Sequence, residues 1–347
     1  MEGSSGRVDH AARVGDVQRW NDVNEIPTDL GPTAITLGNF DGVHRGHRVV
    51  LNELVARARE RELTPVAVTF DPHPIAVLRP EQAPAMLTSL DQRLRLISQV
   101  GLHGIFVMPF TLELAQWTPR EFVERIFVER FRAELVVVGR DTRFGVKNSG
   151  DVETLRELGE EFGFEVLTLE DMGTAGESGP RWSSSLARQL IAEGDVSTAA
   201  EVLGRPHRVT GVVVHGDHRG RVLGFPTANL SPESEGLVPA DGVYAGWLDR
   251  PTLSPEDPDS TLPAAISVGT NPTFDGTQRR VEAHVLDRDD LDLYDEVVSV
   301  EFIKLLRPTL KFDSVDDLLA QMREDVDECR RALSSMVPQS EGLSAQE

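Results

Sequence analysis

The sequence predicts an α/β domain with a doubly wound, Rossmann-like parallel sheet, followed by an all-β barrel domain that ends in a helix. Three observations predict this organisation. The chain has 347 residues, and a single core stops growing at roughly 250–300 residues. Up to about residue 204, short β-branched runs alternate with amphipathic stretches, as in parallel sheets covered by helices. Beyond that point strand-like runs follow one another without helices, which is typical of an antiparallel barrel or sandwich.

In the first half, each predicted strand is followed by a predicted helix. The strands are expected at Thr33–Gly38, Pro65–Phe70, Gly104–Met108, Glu134–Gly139 and Phe164–Leu169. The helices have apolar residues every three or four positions and are expected at His47–Glu62, Ser89–Val100, Thr118–Arg132 and Val152–Phe162. Ligands of such sheets bind beyond the carboxyl ends of the strands, so functional residues are expected there.

The second half is expected to consist of strands separated by turns. The strands are expected at His207–His215, Gly242–Asp249, Ala264–Val268, Val281–Leu286 and Val297–Leu305. Turns are expected at Asn271–Thr273 and Asp275–Gly276, and the proline-rich stretch Arg250–Leu262 is expected to be an exposed loop. One amphipathic helix over Val315–Leu333 closes this half.

The domain boundary is expected near Gly204, where the periodicity changes. This gives an N-terminal domain at 21–203 and a C-terminal domain at 204–335. Residues 1–20 and 336–347 lack periodicity and are expected to be disordered.

The composition argues against several classes of protein. The chain has 35 Lys+Arg against 57 Asp+Glu, a formal net charge of −22, so nucleic acid is not expected as its main partner. Its single cysteine, Cys329, excludes an intrachain disulfide and a cysteine-rich zinc site, which favours a cytoplasmic setting. Apolar runs such as Leu135–Val138 are far shorter than the roughly 20 residues of a membrane helix, and the N-terminus has no signal-peptide core. Neither a membrane nor secretion is therefore expected, while homo-oligomerisation stays open.

The first predicted strand runs into the motif GNFDGVHRGH at Gly38–His47. His44 and His47 are three apart at a helix start, so they lie on one face beside backbone N–H groups without helical partners. This arrangement indicates an anion site, and Gly46 leaves room where a base or phosphate approaches the backbone. The alternative is a glycine-rich turn with two solvated histidines.

Other polar residues follow the strands at the same predicted edge. Asp71 and His73 follow the second strand in a loop held by prolines, which is alternatively only a rigid turn. Asp141 follows the fourth strand. Arg188 lies on the first turns of a helix opened by the serines 183–185, and these serines can cap that helix. A helix start with an arginine indicates a second phosphate site, although a plain cap with a surface arginine has the same pattern.

The second half offers a different set of groups. Thr227 and Asn229 are two apart, so in an extended segment they point the same way, and their oxygens are ligands of the kind that Mg²⁺ accepts. The glycines at 216, 220 and 224 suggest a phosphate-binding flap or a mobile hairpin. Glu282 and His284 share one face of a strand, where polar residues are also common without function.

These segments together resemble prokaryotic bifunctional riboflavin kinase/FAD synthetases. The resemblance covers about residues 20–335 and rests on Gly38–His47, Thr69–Pro74, Val138–Gly145, Arg181–Arg188, Gly224–Asn229 and Val281–His284. It implies that the C-terminal domain phosphorylates riboflavin to FMN with ATP. It implies further that the N-terminal domain transfers AMP from a second ATP to FMN, which gives FAD and pyrophosphate.

The resemblance also implies roles for individual residues. Glu282 matches the catalytic base of the kinase, and Thr227 and Asn229 match its Mg²⁺ and phosphate ligands. Adenylyl transfer needs no base because the attacking phosphate is already ionised, so His44, His47 and Arg188, with Mg²⁺, are expected to neutralise charge at the α-phosphate. Further substrate- or nucleotide-binding residues are expected at Gly38, Phe40, Asp41, Gly46, Asp71, His73, Asp141, Arg181, Ser184, Ser185, Gly224 and Pro226.

Four positions depart from the family pattern. The family usually has an aromatic residue at Thr142, an aliphatic one at Trp182, threonine at Ser185 and often an acid near Thr309. Thr142 removes area that could stack on a flavin or adenine ring, which bears on affinity more than on chemistry. Two alternative functions stay open: a riboflavin kinase with an impaired N-terminal module, and a flavin- or nucleotide-binding regulator.

Overall fold

The computed structural model describes residues 13–14, 16–170, 181–216, 224–273, 276–334 and 336. The chain divides into two compact units. The first unit comprises Met1–Pro84 and Leu90–Trp182, and the second comprises Ala85–Ser89 and Ser183–Glu347.

The first unit contains a twisted sheet whose central strands are buried. Its strands are β1 (Arg13–Val14), β2 (Val17–Trp20), β3 (Thr33–Leu37), β4 (Thr64–Asp71), β5 (Gly104–Pro109), β6 (Ala133–Gly139) and β7 (Glu165–Leu169). They lie in the order β1-β2-β5-β4-β3-β6-β7, and all neighbours pair in parallel except β1 with β2. From β3 the chain builds the sheet outward on one side through β4 and β5 and on the other through β6 and β7. The sheet is therefore doubly wound, which confirms the predicted fold class. The carboxyl end of β3 lies at the point where the order reverses, which is where such sheets bind ligands.

Helices follow the strands of this sheet. They are α1 (Arg45–Glu60), α2 (Pro74–Leu78), α3 (Leu90–Ser98), α4 (Pro119–Phe122), which continues as a π-helix over Val123–Arg130, and α5 (Val152–Phe162). Short 3₁₀ turns lie at Val23–Glu25, Asp41–Val43, Pro80–Gln82, Leu114–Gln116 and Val146–Asn148. Successive strand residues face opposite sides of a sheet, so Ala34 packs in one buried cluster and Ile35 in the other.

The second unit contains a closed antiparallel barrel. Its strands are β8 (His207–Val214), β9 (Ala228–Leu230), β10 (Gly242–Asp249), β11 (Thr261–Thr273), β12 (Gly276–Val285) and β13 (Val297–Pro308). They close in the order β9-β12-β11-β10-β13-β8. Side chains such as Tyr244, Leu248, Val300 and Phe302 fill the interior, so the barrel has a packed core.

Three helices pack on this barrel: α6 (Ser184–Glu193), α7 (Val196–Leu203) and α8 (Val315–Leu333). Val196 of α7 is fully buried within the barrel core cluster, and the Ser197 hydroxyl donates to the Ile303 carbonyl (3.1 Å). Residues 183–203 therefore group with the barrel, whereas the sequence predicts the boundary near residue 204. The change of periodicity marks where helices end, and it does not show which core they join.

Two expectations about local structure need correction, and two elements were not expected. Residues 17–20 form β2 and are not disordered, because Val17 and Trp20 are buried at 5% and 0% exposure in the core of the sheet. Asn271–Thr273 is the end of β11 and not a turn, since it pairs with the first residues of β12. The strand β9 and the helix α7 were not expected. The predicted tail 337–347 lies outside the described residues.

Candidate active sites

The turn after β3 has an unusual backbone. Phe40 has a φ of 50°, Gly42 of 76° and Val43 of 38°. A β-branched residue with positive φ is an outlier, and such conformations cost about 1–3 kcal/mol each. Surrounding contacts must therefore hold this turn, which is common where a backbone positions functional groups.

His44 is the N-cap of α1. Its Nδ1 accepts a hydrogen bond from the backbone N–H of His47 (3.3 Å), so the neutral ring carries its proton on Nε2. The two imidazole rings stack with centroids 3.7 Å apart. A Cβ at Gly46 would lie 3.0 Å from Cε1 and Nδ1 of His44, so the glycine leaves room for the His44 ring itself.

His47 is partly exposed, but its Nδ1 is buried and has no hydrogen-bond partner among the described residues. Desolvation, followed by the charges of His44 and Arg181, lowers the pKa of His47 well below its ordinary value. The ring is therefore neutral at neutral pH. Phe40 packs edge-on beneath it (5.2 Å) and is 2% exposed, so Phe40 supports the histidine from the core.

Two further predicted residues lie beside this histidine pair. Arg181 forms an ion pair with Asp141, which follows β6, and the effect of Arg181 on the His47 pKa shows that its charge lies close by. The guanidinium of Arg45 stacks over the ring of Trp182 (5.6 Å). Trp182, which stands where the family usually has an aliphatic residue, therefore makes a cation–π contact with an arginine of the histidine motif.

Asp71 is the last residue of β4, and His73 lies in the loop that follows. The Asp71–Pro72 peptide bond is cis, and the Asp71 side chain is 46% exposed. His73 caps α2, because its Nδ1 accepts from the backbone N–H of Ile75 (3.2 Å). Since β4 lies beside β3 in parallel, this loop leaves the same edge of the sheet as the histidine turn.

The serine-led helix falls in the second unit. Ser183 caps α6 by accepting from the backbone N–H of Leu186 (3.1 Å), so the cap is this serine and not Ser184 or Ser185. The Nε of Arg188 donates to the carbonyl of Ala85 (2.9 Å). The part that Ser184, Ser185 and Arg188 take in adenylyl transfer stays a prediction.

The barrel carries a pocket of about 280 Å³ on its outer face, against α8. Along β12, Val281, Ala283 and Val285 point into the barrel core, and Glu282 and His284 point into the pocket. The lining comprises Phe225, Thr227, Val243, Ala265, Ser267, Glu282, His284, Arg307, Thr309, Leu310, Phe312, Leu318, Met322, Asp325 and Val326. The wall is mainly apolar with a small number of polar groups, as in many small-molecule sites.

Two polar residues of the pocket wall, Thr227 and Glu282, are linked by hydrogen bonds to each other and to Asn229. The Thr227 hydroxyl donates to Oε2 of Glu282 (3.4 Å), and the Asn229 amide donates to the Thr227 hydroxyl and carbonyl (3.3 Å each). Asn229 lies directly opposite Glu282 in the β9–β12 register. His284 Nδ1 lies 2.8 Å from the Pro226 carbonyl, so a neutral His284 carries its proton there. The structure therefore brings together Glu282, Thr227, Asn229 and Pro226.

The predicted flap is only partly described. Gly224 has a φ of 83°, which favours glycine, and residues 217–223 lie outside the described part of the chain. A Cβ at Gly216 would lie 2.7 Å from the Asn229 side chain, so the absence of a side chain at Gly216 leaves space for the Asn229 amide.

Sequence reasoning missed an ion pair in the pocket wall. Arg307 on β13 donates through Nε and Nη2 to the two carboxylate oxygens of Asp325 on α8 (2.7 and 2.6 Å). The sequence carries a signal for it, because Asp325 interrupts the apolar stripe formed by Leu318, Met322, Cys329 and Leu333. A buried acid on such a stripe needs a cationic partner.

Both halves of the chain match models of known protein families. The FAD synthetase family model matches residues 26–184, and the riboflavin kinase family model matches residues 203–333. The bifunctional riboflavin kinase/FMN adenylyltransferase of Escherichia coli K12 is 36% identical over 295 residues, which is 84% of this chain and 90% of that protein. The protein of the same name from Listeria monocytogenes is 33% identical over 313 residues, or 90% of this chain and 93% of its own length.

A solved structure supports the fold over nearly the whole length. A Streptococcus pneumoniae protein described as a macrolide-efflux protein matches with a TM-score of 0.79 and 31% identity, covering 91% of this chain and 99% of that one. Among the helices that the structure describes here, none has the length and apolar character to cross a membrane.

A nucleotidyltransferase fused to a small kinase is the class of protein that these matches and the two folds define. The chain belongs to the family of bifunctional riboflavin kinase/FMN adenylyltransferases. The family resemblance found in the sequence is thereby confirmed.

Proposed function

We propose that the barrel unit phosphorylates riboflavin to FMN with ATP, and that the parallel-sheet unit transfers AMP from ATP to FMN, giving FAD and pyrophosphate. Both family models and the names of the relatives support these two activities. The observation that carries the kinase assignment is the position of Glu282, a carboxylate beside Thr227 at the edge of an apolar pocket.

In the kinase reaction the riboflavin 5′-hydroxyl attacks the γ-phosphorus of ATP. The hydroxyl must lose its proton as the new P–O bond forms and the bond to ADP breaks, and Glu282 accepts that proton. The apolar wall, including Val243, Leu310 and Phe312, is suited to the flavin ring. Gly224 and Pro226 precede Thr227 and strand β9, and in this proposal the phosphates bind beside their backbone groups.

Thr227 and Asn229 fit Mg²⁺ by their chemistry. Both supply hard oxygen atoms next to the Glu282 carboxylate, and Mg²⁺ in nucleotide sites takes only one or two protein ligands besides phosphates and water. The described residues contain no group of three or more His, Cys, Asp or Glu arranged for a metal. The bound ion would neutralise charge on the phosphates.

In adenylyl transfer a phosphate oxygen of FMN attacks the α-phosphorus of ATP, and the bond to pyrophosphate breaks. The attacking oxygen is already ionised, so the protein has to place the two anions together and stabilise the added charge. The Nε2 proton of His44 and the unsatisfied Nδ1 of His47 are suited to that role, with His47 taking up a proton as the anion approaches. Arg181 adds charge beside them, and we assign Arg188 to the same step from its sequence match.

The remaining predicted residues of this unit have supporting roles in the proposal. Gly38 and Gly46 leave space for the rings of Phe40 and His44. Asp141 holds Arg181, and Asp71 and His73 belong to the neighbouring loop, where FMN is to be bound. Asp41, which is 1% exposed, lies inside the turn.

The test is to incubate the protein with riboflavin, ATP and Mg²⁺ and to separate the flavins by chromatography. The proposal expects FMN and then FAD, and a second reaction started from FMN should give FAD directly. A protein that binds flavin but forms neither product would be a regulator. One that forms FMN but never FAD would be a kinase with an impaired first unit, in line with the Thr142 departure.

Both reactions should stop when Mg²⁺ is removed. The described residues near the two sites offer histidine, arginine, threonine and asparagine but no lysine cluster that could replace a divalent ion on ATP. Excess chelator should abolish FMN and FAD formation, and added Mg²⁺ should restore both. Turnover that persists in chelator would contradict this expectation.

A further inference from the structure

Arg93 is a buried charge that the reactions above do not use. It lies on α3 with a side chain that is 1% exposed. Burial of a guanidinium is strongly unfavourable unless charged or polar partners compensate. Desolvation lowers the pKa of Arg93, and the charges of Asp41 and Asp71 oppose this effect.

The partners of Arg93 lie in the turn after β3 and at the carboxyl end of β4. Its Nη1 donates to the carbonyl of Asn39 (3.0 Å), and its Nη2 donates to the carbonyl of Phe70 (3.1 Å). Nη2 also lies 3.6 Å from Oδ1 of Asp71. The planar guanidinium presents these donors at a fixed spacing, which a lysine ammonium cannot reproduce.

Both carbonyls lie at the base of the loops that leave the candidate site. Asn39 directly precedes Phe40, the first residue of the strained turn, and the Thr69 hydroxyl donates to the same Asn39 carbonyl (3.2 Å). Phe70 directly precedes Asp71. Because β3 and β4 are neighbours, one side chain ties the carboxyl ends of both strands together.

We propose that Arg93 is a positioning residue for adenylyl transfer, which fixes the turn carrying His44 and His47 relative to the Asp71 loop. The proposal rests on the proposed function of the first unit. In this proposal the Arg93 side chain contacts protein groups and not the substrates. It acts through the backbone of the turn, whose positive φ values need an external support.

The experiment uses full-length R93K and R93M, with R95K and R95M as matched controls on the exposed face of the same helix. In R93M, kcat for FAD formation from FMN should fall roughly 10²-fold with smaller changes in KM, since a displacement of about 1 Å has that effect. The kcat of R93K should lie between those of wild type and R93M, because lysine keeps the positive charge but lacks the planar pair of N–H donors. Riboflavin phosphorylation by the same samples should stay at the wild-type rate, and so should both activities of the Arg95 variants.

A second measurement separates positioning from a merely structural role. In ¹⁵N-labelled protein, the ring resonances of His44 and His47 should shift in folded R93K and stay unchanged in R95K. If R93K keeps both the wild-type kcat and the wild-type resonances, the proposal is wrong. It is also wrong if R93K or R93M loses both activities in equal proportion.

The outcomes remain distinguishable from failure of the proposed function. If R93M does not fold, R93K alone decides through its kcat and its resonances. A wild-type protein that makes no FAD contradicts the proposed function, and the histidine resonances then still show whether Arg93 positions the turn.

Discussion

The two candidate sites differ in the backbone that carries them and in the groups that they present. In the first unit, imidazoles lie on a strained turn at the edge of a parallel sheet, and desolvation keeps His47 neutral. In the barrel, a carboxylate and an amide lie on paired strands, and a hydroxyl lies just before one of them, beside an apolar pocket. The difference corresponds to the two nucleophiles. A phosphate needs its charge compensated, whereas a hydroxyl needs its proton removed.

The largest effect is expected from removing the proposed base of the kinase site, which should affect only one of the two reactions. Glu282→Gln should lower FMN formation from riboflavin by roughly 10²–10⁴-fold, which is the usual contribution of a general base. The change is nearly isosteric, so FAD formation from supplied FMN should stay unchanged. Glu324→Gln on the exposed face of α8 is the matched control. If Glu282→Gln loses both reactions together, the sites are not independent.

The converse variant is His47→Gln. It should lower FAD formation from FMN by about 10²–10³-fold, as expected for loss of a group that stabilises transition-state charge. His103→Gln, an exposed histidine of the same unit, should leave this rate unchanged. FAD formation that stays within about threefold of wild type, under ~1 kcal/mol, would contradict the role of His47.

Two fragments test whether the barrel unit includes α6 and α7. A fragment that starts at Ser183 should phosphorylate riboflavin and unfold at a higher urea concentration than one that starts at Gly204. The shorter fragment lacks Val196, which is fully buried in the barrel core, and the loss of that buried side chain costs about 1.5–3 kcal/mol. Equal urea midpoints for the two fragments would place the boundary at residue 204, where the sequence predicts it.

The smallest effect concerns pH. The folded state holds the pKa of His47 below its unfolded value of about 6.5, so the unfolded state binds the extra proton first. The contribution of His47 to stability is therefore present above about pH 6.5 and is lost as the pH falls below it. Calorimetry between roughly pH 5 and 8 should show a steeper acid loss for wild type than for His47→Gln. Parallel curves would show that the folded protein does not disfavour the charged imidazole.

The fold could be predicted from the sequence because periodicity reports burial. The helices Val152–Phe162 and Val315–Leu333 and the strand Gly242–Asp249 have the predicted bounds, since their apolar residues repeat over a full element. The strand Val17–Trp20 was missed because four residues are too few to show a period. Its place in the sheet depends on the distant strand β5.

The candidate sites could be predicted only in part. Motifs in the sequence point to Glu282, Thr227 and the histidine pair because these residues are adjacent to recognisable turns and strands, and their roles stay predictions. Arg93 was missed because it occupies one polar position of an amphipathic helix, and only the folded chain brings it to carbonyls 54 and 23 residues away.

Along β12, alternate residues lie in the barrel core and in the wall of the outer pocket. Val281, Ala283 and Val285 fill the closed barrel, so a change in their volume disturbs the whole unit. Ser267, opposite Glu282 on the neighbouring strand, faces only the outer pocket. Substitutions at such outward positions can therefore alter which flavin analogue is accepted while the barrel keeps its packing. This offers a route by which ligand preference can diverge among barrels of the same fold.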